Sequence, residues 1–220
     1  MQGELRVVDD VAAAFCDAVA AAWESRGAGP FTIALSGGDT ARRCYEALAE
    51  RAGAPVEWSE VVVLWGDERC VPLDDEESNH RLAQEALLGR VGPVAAVHPM
   101  RCDDADGYDR LLAGLAPIDI VHLGLGPDAH TASLFPESPA LEAPGGRLVV
   151  GNEDPLGNNP HPRLTLTFDG IARARHVVVT VEGDTKREAL DQVRSGDDVP
   201  AARVDAPCVL WLVDRVAAGP

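Results

Sequence analysis

Short apolar runs alternate with amphipathic segments along most of the chain. The apolar runs are bounded by Gly, Pro or charged residues, which is the pattern of buried strands. This pattern predicts strands at residues 31–35, 61–65, 118–123, 176–181 and 208–213, with weaker ones at 94–100, 147–150 and 163–167. Apolar residues spaced three and four apart predict helices at 9–25, 41–51, 79–88, 104–115 and 183–194.

The alternation of strands and helices predicts an α/β fold. In such a fold a mostly parallel sheet is flanked by helices and joined by right-handed crossovers. The chain has 220 residues, 46% of them hydrophobic, which is enough for one sizeable core. The sequence shows neither an internal repeat nor a convincing linker. We therefore expect one Rossmann-like domain over residues 1–220, with the Pro-, Gly- and Asn-rich stretch 137–162 as an excursion over the surface.

The strongly acidic composition narrows the class of partner. A net charge of −17 argues against nucleic acid and anionic membranes. No apolar run approaches the length of a membrane span. The first residues also lack the basic and apolar regions of a secretory signal. A small anionic substrate remains compatible with this charge, because a local cationic pocket can override the overall field.

The cysteine pattern bears on the redox compartment. The five cysteines are odd in number and widely spaced, and none forms a Cys-x-x-Cys pair. That pattern favours free thiols in a reducing cytosol over a disulfide framework or a zinc site. We therefore expect a cytoplasmic protein with free cysteines.

Residues 118–136 carry the most suggestive chemistry in the chain. A strand at 118–123 is followed by Gly124 and Gly126, where the backbone can turn without a Cβ penalty. Asp128 and His130 then place an acid and a base on one tight loop, and residues 131–135 resemble a short helical start. Loops after strands are where α/β enzymes keep their active sites. Taken alone, however, the histidine could equally be a structural loop residue.

A second motif, Ser-Gly-Gly-Asp-Thr at residues 36–40, links a predicted strand to a helix, with Thr40 as a plausible N-cap. Free N–H groups at such a helix start favour anions, although an ordinary βα turn looks the same. A third motif, Gly183 to Lys186, opens the last long helix, where Thr185 and Glu188 form a predicted capping box. Lys186 is the only lysine of the chain, and it shares the apolar face of that helix.

Four polar motifs follow predicted strands. Because the carboxyl ends of parallel strands meet at one edge of a sheet, we expect the four motifs to gather there. They lie at residues 36–40, 66–69, 124–130 and 183–186. Together they would supply an anion loop, Arg69, Lys186 and the Asp128/His130 pair, an inventory that suits a small phosphorylated substrate.

The same segments resemble the 6-phosphogluconolactonase family. The most specific is Leu-Gly-Leu-Gly-Pro-Asp-Ala-His-Thr-Ala-Ser-Leu-Phe-Pro at 123–136. The others are Trp-Gly-Asp-Glu-Arg at 65–69 with Ser-Asn at 78–79, Leu-Ser-Gly-Gly-Asp-Thr at 35–40, Pro-Arg-Leu-Thr at 162–165, and Gly-Asp-Thr-Lys with a following Ala-Leu at 183–190. The resemblance runs in order from about residue 8 to 213, nearly the whole chain.

This resemblance implies a fold shared with sugar-phosphate isomerases. It also implies hydrolysis of 6-phospho-D-glucono-1,5-lactone to 6-phospho-D-gluconate in the oxidative pentose phosphate pathway, without a metal or an organic cofactor. The expected partner is then a small phosphorylated sugar lactone. The oligomeric state stays open between a monomer and a small homo-oligomer.

The expected roles follow from the chemistry of lactone hydrolysis. His130 would take a proton from the attacking water, Asp128 would orient its imidazole, and Arg69 would stabilise the developing oxyanion or bind sugar hydroxyls. Binding of the substrate, chiefly of its phosphate, is expected from Ser36, Gly37, Gly38, Thr40, Asp67, Arg163 and Lys186.

Two sites depart from the family pattern. Asp39 stands where the family usually has a small residue, and a carboxylate beside a phosphate loop is unfavourable unless it caps the helix or pairs with Arg42 or Arg43. Pro127 and Ala129 stand where the family usually has glycines around the aspartate. Ala129 disfavours any left-handed conformation that a glycine would allow there.

Two other functions share features with this sequence. Amino-sugar phosphate deaminases resemble the chain around Asp67, Asp128 and His130, but they carry a glutamate where this chain has Phe135. A non-catalytic phosphosugar sensor would normally have a DNA-binding segment, whereas this sequence starts directly with the first predicted helix. A pure sensor would also have no need of both Asp128 and His130.

Overall fold

The computed structural model describes residues 1–51 and 56–219. Ten strands lie in these residues: β1 (Glu4–Val8), β2 (Phe31–Leu35), β3 (Val61–Trp65), β4 (Asp67–Arg69), β5 (Ala96–Val97), β6 (Ile118–Gly124), β7 (Val149–Asn152), β8 (Arg163–Leu166), β9 (Ala174–Val181) and β10 (Cys208–Asp214). The helices are α1 (Val11–Ser25), α2 (Asp39–Glu50), α3 (Asn79–Ala83), α4 (Ala105–Gly114), α5 (Phe168–Ile171), α6 (Arg187–Ser195) and α7 (Arg215–Ala218).

Seven strands form the main sheet, in the order β1-β10-β9-β6-β2-β3-β5, and the pairs within it are parallel. Strand β2, in the interior of this sheet, is buried along all five residues, because helices cover both faces of the sheet. The predicted α/β fold with a mostly parallel sheet is therefore confirmed. From β2 the chain moves outward through β3 and β5, then returns to place β6 on the other side of β2.

A smaller antiparallel sheet, in the order β4-β8-β7, lies at the carboxyl end of β3. Gly66 separates β3 from β4, and the Gly66 carbonyl accepts a hydrogen bond from the Leu166 N–H at 2.8 Å. The predicted strand at 163–167 was expected to be half-buried, but all four residues of β8 are buried, so both faces of this middle strand are covered. This sheet positions Asp67, Arg69 and Arg163.

Several local predictions differ from the structure. The first strand, β1, was missed, because its residues are mostly exposed at the sheet edge and carry no apolar run. Residues 131–135 form a turn rather than a helical start, and Ala132 has a φ of 46° that no right-handed helix contains. The stretch 137–162 is only partly a surface excursion, since it contains β7 and buried Asn152.

The predicted caps of two helices also differ. Gly38, with a φ of 92°, precedes α2, so Thr40 lies inside the first turn and makes no capping hydrogen bond. Residues Asp184–Lys186 form a 3-10 turn that leads into α6, and no side chain caps this start. The capping box of Thr185 and Glu188 is therefore not formed. In both cases a glycine in the left-handed region sets the turn instead.

The expectation that all cysteines are free is wrong. Cys70 and Cys102 form a disulfide with 5.5 Å between their Cα atoms, although 32 positions separate them in the sequence. The topology brings the end of β4 next to the turn before α4, and sequence spacing alone cannot reveal such a pair. Cys16 and Cys44 are buried free thiols, and Cys208 is an exposed one.

Within the described residues, no helix combines the length and the apolar character needed to cross a membrane. Over the same residues, no three His, Cys, Asp or Glu side chains are grouped so as to hold a metal ion.

Candidate active site

A cavity of about 260 Å³ opens at the carboxyl ends of the central strands. It lies where β6 and β2 are neighbours and the order of the sheet reverses, the position at which open α/β sheets bind ligands. The cavity is lined by residues from all four polar motifs and from β8: Ser36, Gly37, Gly38, Asp67, Arg69, Asn79, Gly124, Leu125, Gly126, Pro127, His130, Ala132, Ser133, Phe135, Asn159, Arg163 and Lys186.

His130 and Asp128 form an acid–base pair at the wall of this cavity. His130 Nδ1 lies 2.5 Å from Asp128 Oδ1, and both side chains are about four-fifths buried. Burial alone would raise the pKa of Asp128, but the hydrogen bond and the charge of His130 bring that pKa below its ordinary value. With Asp128 accepting the Nδ1 proton, the lone pair of His130 is on Nε2, where it can act as a base.

The loop that carries His130 has an unusual backbone. Ala129 and Ala132 have φ values of 60° and 46°, in the left-handed region that costs an alanine roughly 1–2 kcal/mol. Two hydrogen bonds stabilise the loop, one to the end of β6 and one within the loop. The Thr131 hydroxyl donates to the Gly124 carbonyl at 2.9 Å, and the Gly126 N–H donates to the His130 carbonyl at 2.8 Å. The conformation is therefore imposed by the fold rather than by the sequence of the loop.

Arg69 and Arg163 face the cavity from paired positions on β4 and β8. Burial and the neighbouring charge of Arg69 lower the pKa of Arg163. Their backbone anchors are separate, because Arg69 Nη1 donates to the Glu77 carbonyl and Arg163 Nη2 donates to the Pro160 carbonyl. The Nε atom of each guanidinium is buried without a hydrogen-bond partner. Two adjacent guanidinium groups with unused donors are suited to an anionic ligand.

Lys186 lines both the first cavity and a second one of about 550 Å³. Burial lowers the pKa of its ammonium group, and the charge of Asp128 partly opposes that shift. Lys186 was expected on the apolar face of the helix, but it lies in the 3-10 turn before α6, and its side chain lines the cavities.

The second cavity also contains Thr40 and Asp39, neither of which lines the first. Asp39 does not cap α2. Nor does it pair with the arginines that follow it, because Arg42 bonds Glu85 and Arg43 bonds Glu182. The Asp39 carboxylate thus belongs to the wall of the second cavity and not to that of the first.

Glu68 fixes the start of α3 beside the cavity. Its carboxylate accepts hydrogen bonds from the N–H groups of Arg69, Asn79 and His80 at 2.7 Å each, and from the Ser78 hydroxyl at 3.0 Å. Burial raises the pKa of Glu68, and these four donors oppose that shift. The consequence is that Asn79 is held rigidly against Gly37 in the cavity wall.

A buried network supports the Gly37–Gly38 loop from below. The Tyr45 hydroxyl accepts a hydrogen bond from the Ser36 N–H at 2.7 Å and lies 2.9 Å from His122 Nδ1. His122 Nε2 lies 2.9 Å from the Thr180 hydroxyl, so both ring nitrogens have partners. Complete burial lowers the pKa of His122 to about 3, and the ring is therefore neutral.

Most of the predicted site residues are brought together. Asp128 lies behind His130 rather than in the lining, and Thr40 belongs to the second cavity. Sequence reasoning missed Asn79 and Asn159, both in the lining. The Ser-Asn pair at 78–79 was noticed only as a family motif, and Asn159 lies in the stretch assigned to the surface. For Asn79 the sequence offered one signal, which is a polar residue in the first turn of the helix predicted at 79–88.

Comparison with known proteins identifies the family. A sequence profile described as glucosamine-6-phosphate isomerases/6-phosphogluconolactonase matches residues 4–211. The chain belongs to this family. A 6-phosphogluconolactonase of Synechocystis sp. is 41% identical over 86% of this chain and 84% of its own length. That of Mycobacterium tuberculosis is 39% identical over 91% of this chain and 88% of its own.

A solved structure of the family agrees. The 6-phosphogluconolactonase of Trypanosoma brucei has a TM-score of 0.86 and 29% sequence identity, covering 99% of this chain and 98% of its own. The similarity thus extends over both sheets and all the segments that line the cavity.

Proposed function

We propose that this protein hydrolyses 6-phospho-D-glucono-1,5-lactone to 6-phospho-D-gluconate. The observation that carries the proposal is the His130–Asp128 pair at 2.5 Å, placed in a cavity that also contains three cationic side chains. A neutral imidazole with a carboxylate on Nδ1 activates water, and the cations suit a substrate with a phosphate group. Membership of the family and the named relatives point to the same reaction.

In the proposed mechanism His130 Nε2 accepts a proton from water as the water oxygen attacks the lactone carbonyl. Asp128 holds the ring in the required tautomer and stabilises the imidazolium that forms. The carbonyl oxygen becomes an oxyanion, for which Arg69 supplies a nearby positive charge. The intermediate collapses with cleavage of the ring C–O bond, and His130 returns its proton to the departing oxygen. A lactone is already an activated ester, so no covalent nucleophile is needed.

The phosphate is assigned to Arg163, Lys186 and the Gly37–Gly38 loop. Arg163 and Lys186 supply charge, and the Gly37–Gly38 loop supplies backbone N–H groups at the start of α2. Gly38 adopts a φ of 92°, and no atom lies within 4 Å of where its Cβ would be, so the cavity side of the loop is open. Thr40 keeps at most an indirect role, because it lines the second cavity.

The second candidate activity is that of an amino-sugar phosphate deaminase, and Phe135 argues against it. The deaminase pattern needs a glutamate at this position, but here a phenyl ring packs edge-on against His130 with 5.0 Å between ring centroids. Phe135 is 1% exposed, so the position offers no acid or base to a substrate. A non-catalytic sensor is disfavoured because the His130–Asp128 geometry is that of a working base.

The direct test follows freshly generated 6-phospho-D-glucono-1,5-lactone and compares its loss with the spontaneous rate. We expect strong acceleration by the protein, and no ammonia release from glucosamine 6-phosphate under the same conditions. No acceleration of lactone loss, with deamination instead, would replace the first function by the second. Binding of the lactone without turnover of either compound would favour the sensor.

Three coarser expectations remain part of the proposal. We place the protein in the cytoplasm because a charged sugar phosphate does not cross membranes and stays in its compartment. The cysteines no longer support this placement, because Cys70 and Cys102 form a disulfide. Residues 1–220 would act as one domain. The oligomeric state, monomer or small homo-oligomer, is measurable by light scattering of the purified chain.

A further inference from the structure

Asp67 was expected to bind substrate, but each oxygen of its carboxylate already has a protein donor. Oδ2 accepts a hydrogen bond from the Ser133 hydroxyl at 2.6 Å, and Oδ1 accepts one from Asn79 Nδ2 at 3.2 Å. The same Asn79 amide also donates to the Asp67 carbonyl at 2.9 Å. Asp67 is 6% exposed, so little of it remains available to a ligand.

These contacts join the two loops on which the proposed reaction depends. Ser133 lies three residues after His130 on the base-carrying loop. Asn79 begins α3 and packs so closely on Gly37 that a Cβ there would lie 1.8 Å from Asn79 Oδ1. Asp67 therefore stands between the loop of the base and the loop that is assigned to the phosphate.

The base-carrying loop needs such an anchor because its own backbone is strained. Ala129 and Ala132, on either side of His130, are in the left-handed region, and conformations of this kind persist only when their surroundings impose them. Ser133 makes three hydrogen bonds to residues outside the loop. Besides its bond to Asp67, its N–H donates to the Thr165 hydroxyl at 3.1 Å and its carbonyl accepts from Asn152 Nδ2 at 2.7 Å.

We propose that Asp67 is a positioning residue, whose carboxylate links Ser133 to Asn79 and so holds His130 at a fixed distance from the Gly37–Gly38 loop. The inference rests on the proposed lactone hydrolysis and deepens it. A misplacement of about 1 Å between base and bound substrate can cost on the order of 100-fold in rate. In this reading Asp67 neither touches the reacting atoms nor exchanges protons with the substrate.

The test uses steady-state kinetics on the lactone for Ser133→Ala, Asp67→Asn and the double variant. Ser133→Ala removes the hydroxyl donor, while Asp67→Asn puts an amide donor in place of one carboxylate oxygen, so both break the same link. We expect each single variant to lower kcat by roughly 10- to 100-fold with KM changed less than about threefold. The kcat of the double variant should lie within about threefold of that of the slower single variant, because the effects of coupled residues are not additive.

Ser138→Ala is the matched control. Ser138 is a buried serine like Ser133, and its hydroxyl accepts from the same Asn152 amide at 3.0 Å, but it has no contact with Asp67. We expect it to leave kcat within about twofold of wild type, since Asn152 keeps its bond to the Ser133 carbonyl. A tenfold rise in KM for Asp67→Asn with unchanged kcat would overturn the proposal and return Asp67 to substrate binding. Multiplicative losses in the double variant would overturn it as well.

Amide hydrogen exchange separates this proposal from the proposed function. The N–H groups of Gly126 and Leu134 close the turns on either side of His130, by bonds to the carbonyls of His130 and Thr131. Both should exchange at least about tenfold faster in Ser133→Ala and Asp67→Asn than in Ser138→Ala. This result is expected even for an enzyme of another substrate. Unchanged exchange in both variants would show that Asp67 does not hold the loop, whatever the protein hydrolyses.

Discussion

The side chain of Asn79 fills the space beside Gly37 that any Cβ atom would need. A Cβ built on Gly37 would lie 1.8 Å from Asn79 Oδ1 and 2.5 Å from its Cγ. Asn79 cannot easily move away, because its backbone N–H donates a hydrogen bond to the Glu68 carboxylate and its side-chain amide donates one to the Asp67 carbonyl. Glycine at position 37 is therefore required by a close approach of a side chain, not by its own backbone angles.

Gly37→Ala should for that reason both destabilise the protein and weaken substrate binding. Overpacking of this kind costs about 1–3 kcal/mol, measured as the free energy of unfolding in urea. KM for the lactone should rise as the Gly loop shifts. Gly145→Ala is the control, since no atom lies within 4 Å of a Cβ there. Equal stability of both variants would mean that the loop and Asn79 separate freely.

Ala129→Gly should cost much less stability than an ordinary buried Ala→Gly change. Its φ of 60° lets glycine relieve strain of about 1 kcal/mol, which offsets the greater chain entropy of glycine in the unfolded state. Ala189, buried in α6, is the comparison, because both alanines lose a buried methyl group. We expect Ala129→Gly to be at least about 1 kcal/mol less destabilising than Ala189→Gly in urea unfolding. The reverse order would contradict the assigned backbone strain.

Reduction of the Cys70–Cys102 disulfide should lower stability. In the loop-entropy model, closing a loop over 32 positions raises the free energy of the unfolded chain by about 3–4 kcal/mol. The measurement is thermal unfolding with and without dithiothreitol. The double variant Cys70→Ser/Cys102→Ser should be insensitive to the reductant. A melting temperature of the native chain that ignores dithiothreitol would show that the bond is absent in solution.

His122 predicts a pH dependence of stability. Burial lowers its pKa in the folded protein to about 3, whereas the unfolded chain has an ordinary histidine near 6.5. Between these values the unfolded state binds one more proton, so stability rises with pH over this window and levels off above it. The expected slope is about 1.4 kcal/mol per pH unit in the steep part. His122→Gln should lack this pH-dependent contribution to stability. The contribution is measured as the difference between the free energies of unfolding in urea of the two proteins from pH 5 to 7. Parallel curves for the two proteins would refute the assignment.

The elements that position the site were predictable because burial leaves a strong pattern. Strands β2, β3 and β6 lie inside the main sheet, so almost all of their residues are buried and most are apolar. Parallel topology then brings the loops after them together. Edge strand β1 carries no such pattern, because most of its side chains face water. Ala129 was expected to disfavour a left-handed conformation where relatives usually have glycine, yet its φ is 60°, so the structure adopts that conformation in spite of the residue.

The missed features depend on tertiary contacts. Residues 131–135 have acceptable helix propensity, but the bonds of Thr131 and Ser133 to neighbouring strands impose left-handed Ala132. The disulfide joins cysteines that only the folded topology makes neighbours. The hydrogen bonds of Asp67 were unpredictable for the same reason, since Ser133 lies 66 positions away in the sequence and Asn79 lies 12 positions away.

The central claim is that His130 is the base of a lactone hydrolase. Its most direct test is the rate of 6-phospho-D-glucono-1,5-lactone loss above the spontaneous rate, with saturating substrate, for wild type and His130→Ala. We predict that kcat falls by about 100-fold or more in the variant, with KM changed little, because the phosphate is assigned to other residues of the cavity. A folded His130→Ala protein that kept near-normal kcat would contradict it.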